Sequence, residues 1–194
     1  MSKTLTITLY MSEMLYDFKN KAFLTGRSRK ADGKDAEFAS NMQASDDDTD
    51  QNQALRSIQN AYGQLLVELS EGFINVADST DSNELLDNAD ITITLTMPSN
   101  YNFGIRNAVT AAIHDYIINK ALMDWFLIVN KEDAKDYSDL AAISLQNLHN
   151  AFNRRERPSR TKPSAATRPA ESTTPNTDSG DTNTDTTNKT DTTE

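Results

Sequence analysis

A chain of 194 residues is the size of one domain and carries a net charge of −10, which disfavours nonspecific binding to nucleic-acid backbones. It has no cysteine, which excludes disulfides, thiolate zinc sites and cysteine nucleophiles and suits a cytoplasmic protein. Its longest apolar run, ALMDWFLIV at 121–129, is too short to span a bilayer and contains Asp124, so no membrane partner is expected.

The chain opens on TLTITLY at residues 4–10, where Leu5, Ile7 and Leu9 alternate with Thr4, Thr6 and Thr8. A period of two in β-branched residues predicts a half-buried strand rather than the continuous apolar run of a signal peptide. The period then changes to three and four: Met11, Met14, Leu15, Phe18 and Ala22 predict a helix over about 12–24, ending near Gly26.

Residues 26–49 are mixed in charge, and Phe38 and Met42 are their only large apolar side chains. A mobile loop is expected, with a short helical turn around Phe38, which is exposed to partners on such an arm. Leu55, Ile58, Tyr62, Leu65, Leu69, Phe73 and Val76 then form a regular stripe, predicting an amphipathic helix over 51–77 capped by Thr49 or Asp50. The same stripe offers a coiled-coil dimer as an alternative use. Residues 78–88 connect to ITITLTM at 91–97, a second threonine-alternating strand stopped by Pro98.

Asn102 is the predicted cap of a helix over 103–129, with Ile105, Val109, Ala112, Ile113, Tyr116, Ile117 and Ala121 on one face and apolar residues all round beyond it. Asn130 caps a final helix, with Asp133 in its first turn and a stripe of Tyr137, Ala141, Leu145, Leu148 and Phe152. So short a link predicts an antiparallel hairpin. The fold class is therefore α+β and mostly helical: a helical bundle over 1–157 with a small two-stranded sheet at 4–10 and 91–97. From Pro158 to Glu194 there is no leucine, isoleucine, valine, methionine or aromatic residue, a composition that predicts a disordered tail.

The sequence is poor in chemical motifs. The two histidines, His114 and His149, have no HExxH context, and a zinc site needs three or four ligands. DDDTD at 46–50 lacks the glycine and distal glutamate of a calcium loop, and acids before a helix are favoured by its dipole. GRSRKADGK at 26–34 has the wrong glycine spacing for a phosphate loop, and no GxSxG elbow occurs. No enzyme activity, cofactor or metal is expected. Exposed strand edges invite another chain, so the strand of Leu5, Ile7 and Leu9 is an interface candidate. Trp125 and Phe126 read first as core anchors and second as a plug into a neighbouring subunit. Arg154, Arg155 and Arg157 continue into Arg160 and Lys162, a basic extension suited to nucleic acid or an acidic protein surface.

Residues 113–158, with YIINKALMDWF, a short KEDAKDY link and a helix ending in basic residues and proline, resemble the C-terminal part of head–tail connector or neck proteins from phages of Bacteroides-type bacteria. The likeness covers about a quarter of the chain and is a pattern of helical packing. It implies a non-enzymatic virion protein assembled in the host cytoplasm. Such proteins form homo-oligomeric rings, often of twelve subunits, between portal and tail proteins. The alternative is a cellular partner-binding helical module that dimerises through the 55–76 stripe.

Overall fold

The computed structural model describes residues 2–31, 40, 42–45, 47–70 and 89–158. Two strands and four helices follow in the order β1 (Lys3–Leu9), α1 (Met11–Ala31), α2 (Asp48–Ser70), β2 (Ile91–Met97), α3 (Arg106–Val129) and α4 (Lys131–Phe152), with a 3₁₀ turn at Phe103–Ile105. The class is the mostly helical α+β fold expected from the periodicities, and these elements fall within one compact unit, Met1–Arg157.

The two threonine-rich strands pair with each other, antiparallel, in the register Leu5↔Leu95, Ile7↔Ile93 and Leu9↔Ile91. Because side chains alternate along a strand, this register sets every aliphatic residue on one face and opposes Thr4, Thr6 and Thr8 to Thr96, Thr94 and Thr92 on the other. The aliphatic face is buried. Each such side chain withdrawn from water contributes about 1.5–3 kcal/mol, which supports a two-stranded sheet that would be marginal alone.

Helix α3 is the axis of the core. Ile113, Ile117, Ile118, Ala121, Leu122 and Phe126 have no exposed surface, so one helix is buried against α2, α4 and α1 at once. The stripe of α2 is spent in the same core: Leu55, Ile58, Leu65 and Leu69 are buried, together with Ala54 and Ala61. Asn130 serves both helices of the α3–α4 hairpin. Its backbone N–H donates to Phe126 O at 2.7 Å, and its Oδ1 accepts from Glu132 N at 3.3 Å. The extended conformation of this single residue, φ −152° and ψ 104°, turns the chain.

Three boundaries differ from expectation. Helix α1 continues past Leu24 and through Gly26 to Ala31, so the segment expected as a loop from residue 26 begins as helix. Its later turns find partners on α4: Thr25 Oγ1 lies 2.7 Å from Tyr137 Oη, and Arg29 pairs with Asp133. These contacts offset the roughly 1 kcal/mol that a glycine costs inside a helix. Helix α2 begins at Asp48, ahead of the predicted start, so the expected caps Thr49 and Asp50 lie within its first turn, where Asp50 Oδ2 accepts from the backbone N–H of Ser45 at 2.9 Å and from its hydroxyl at 2.7 Å. The stretch before α3 takes a tighter first turn, in which Asn102 Oδ1 accepts from Gly104 N at 2.9 Å. Phe38, Phe73, Val76 and the tail from residue 159 lie outside the described residues.

Candidate interaction surface

The outward face of the sheet is a ladder of three threonine pairs, and all but Thr96 are exposed. The sheet has two strands only, so among the described residues each has one edge without a strand partner. Backbone donors and acceptors along such an edge form a template for a further strand.

The aliphatic residues of β1 are not on that surface. Leu5, Ile7 and Leu9 are 7, 3 and 3% exposed, so the residues expected to meet a partner are core, and the threonines beside them hold the accessible face. Trp125 is likewise anchored inside: it packs edge-on against Phe18 at 5.9 Å, and its indole N–H donates to Met42 O at 3.2 Å. Phe126 is fully buried and stacks on Tyr137 at 5.2 Å with an interplanar angle of 6°. Neither ring is free to plug a neighbouring subunit in this arrangement, because helical periodicity turns both toward the core.

The basic run is held differently from a frayed helix end. After α4 the chain turns back and pairs with the segment leaving β2: Tyr101 bridges Arg155, Asn102 N donates to Arg154 O at 3.4 Å, and Glu156 N donates to Asn100 O at 2.8 Å. Lys3 closes the junction, its ammonium 2.8 Å from Glu156 Oε1 and 3.0 Å from Tyr101 O. Burial pushes the Tyr101 phenol up, while the Arg155 guanidinium pulls it back. Arg154, Arg155 and Arg157 are exposed on this anchored segment.

A groove of about 440 Å³ lies at the other end of β1, between the start of α1 and the first turns of α3. Leu9 and Tyr10 form one wall, Glu13 and Asp17 a second, and His114 and Asp115 a third. His114 Nε2 is 3.4 Å from Asp17 Oδ2, so the imidazole faces the carboxylate across the α1–α3 boundary. Among the described residues the lining holds three carboxylates and no lysine or arginine. His149 is not among its residues; it lies exposed near the end of α4. Reading the sequence for motifs misses this groove, although the spacing of Glu13 and Asp17 marks them as neighbours on one helix face.

Among the described residues no group of three or more histidines, cysteines or acids is arranged to hold a metal ion, and no helix is long and apolar enough to cross a membrane. Comparison with protein-family models, with curated proteins and with solved structures finds no match to this chain.

Proposed function

We propose that this chain is a non-enzymatic assembly subunit of the kind its connector resemblance implies, a virion protein that self-associates into a ring between portal and tail. One observation carries the reading: the two-stranded sheet offers edges without a strand partner among the described residues and an exposed threonine face, on a helical body that supplies its own core. Edge pairing with another chain adds backbone hydrogen bonds without disturbing that core. The alternative dimer through α2 has less to work with, since Leu55, Ile58, Leu65 and Leu69 are consumed by the chain's own packing.

Light scattering and electron microscopy of the purified chain test the reading. A discrete high-order mass with closed rings is the expected outcome. A monomer at every concentration, alone and beside a portal protein, overturns it.

A further inference from the structure

We propose that the acidic groove beside Leu9 and Tyr10 receives the basic run at residues 154–162 of a second copy of this chain, giving a head-to-tail contact. The inference rests on the self-association just proposed and adds a second contact to the strand edges that carry that reading.

Three observations point the same way. Among the described residues the groove carries Glu13, Asp17 and Asp115 against one histidine, His114, which faces Asp17, and no lysine or arginine, so the excess of carboxylates favours a positively charged occupant. The run supplies the complementary charge, with Arg154, Arg155 and Arg157 exposed on an anchored segment and Arg160 and Lys162 following in the sequence. The backbone from 154 to 156 is already extended by its pairing with residues 100–102, and an extended basic segment suits an open groove between a strand end and two helices.

Position decides which copy supplies it. The run is fastened at the Lys3 end of β1 through Glu156, whereas the groove lies at the Leu9 end. Seven residues of strand separate these ends by about 20 Å. Arg154, Arg155 and Arg157 are therefore held away from their own groove while remaining accessible to another molecule. Because donor and acceptor are different patches on one subunit, the contact is heterologous, and heterologous contacts generate rings when the rotation closes.

The test uses the full chain and a labelled peptide of residues 153–163. The peptide should bind with an affinity that falls as salt rises, and the double variant Glu13→Lys/Asp115→Lys should weaken binding by about tenfold or more. Both positions are solvent-facing, and circular dichroism of the variant checks that the fold survives. In the full chain, this variant and Arg154→Glu/Arg157→Glu should each fail to self-associate, while their mixture recovers a pairwise contact through the one intact groove and the one intact run.

Equal peptide affinity for native and groove-reversed chains overturns the inference, as does a peptide that binds duplex DNA but not the chain. Self-association that survives both charge reversals overturns the groove contact and leaves the assembly reading standing. A chain that stays monomeric, with its own residues beyond Pro158 competing for the groove, overturns the second-copy occupant together with the assembly reading.

Discussion

Tyr101 and Arg155 pair as an antiparallel bridge, joining the segment that leaves β2 to the one that leaves α4. The bridge converts the end of the last helix from a loose basic extension into a fixed corner beside the sheet. It also buries the Tyr101 ring completely, edge-on to Phe103 at 5.8 Å, with a hydroxyl that has no hydrogen-bond partner among the described residues.

A buried hydroxyl without a partner forfeits its hydration and gains nothing in return. Tyr101→Phe should therefore be neutral or stabilising by up to about 1 kcal/mol, read from urea unfolding curves. A loss of more than that amount would mean that the hydroxyl has a partner in solution.

Arg29 and Asp133 tie the last turns of α1 to the first turn of α4, and the Asp133 side chain is 5% exposed against 27% for Arg29. Asn130 Nδ2 donates to the same carboxylate. Removing the guanidinium leaves a buried charge behind, so Arg29→Leu should cost about 3 kcal/mol. Asp133→Asn leaves the more exposed arginine instead and should cost less. Chemical denaturation of the two variants side by side checks the order, and the reverse order would contradict it.

Trp125 is the chain's single tryptophan and is 6% exposed. Its emission should be blue-shifted in the native state and move to longer wavelength on unfolding. Trp125→Ala should destabilise by about 4 kcal/mol, whereas Trp125→Phe keeps most of the packing and loses the bond to Met42 O. A red-shifted native spectrum would place the indole in water.

Burial pushes the Asp124 carboxyl above the ordinary aspartate range, and the Lys120 ammonium pulls it partly back. The folded chain thus holds this proton where the unfolded chain has released it. That contribution to stability is fully present below the ordinary aspartate range and is lost as pH rises through the raised value. At neutral pH the charged form weighs against the fold, so Asp124→Asn should melt higher than the native chain at pH 7. The gap should close as pH falls into the ordinary range. Thermal melts across that window measure it, and a gap independent of pH would refute the assignment.

The threonine face separates folding from assembly. Thr6 is exposed and opposite Thr94, so Thr6→Lys should change the stability of the single chain by no more than about 0.5 kcal/mol. The introduced charge should nevertheless suppress strand addition. Sedimentation of the variant beside the native chain tests this, and undiminished association would move the contact elsewhere.

How much of this was legible beforehand differs by element. Period-two alternation in Leu5, Ile7 and Leu9 and in Ile91, Ile93 and Leu95 specified two strands with an aliphatic and a threonine face. The stripe of α2 and the cap Asn130 placed their helices, whereas Asn102 caps the 3₁₀ turn that precedes α3 and not α3 itself. Such signals are local: they depend on side-chain spacing along one segment and on hydrogen bonds a few residues apart. The end of α1 was not legible, because Gly26 reads as a stop and only contacts with Tyr137 and Asp133, distant in sequence, carry the helix past it.

The interaction surface divides along the same line. Composition by itself determined that the chain is acidic, cysteine-free and equipped with a basic run, and alternation determined which faces of its strands are greasy. Only tertiary packing decided that the greasy faces, Trp125 and Phe126 close on themselves, and that carboxylates from α1 and α3 meet in one groove. It also set the basic run at the opposite end of the sheet. The physical reason is that periodicity reports which side of an element seeks burial. Which surfaces remain uncovered depends on how the elements cross, and that is set by contacts between residues far apart in the chain.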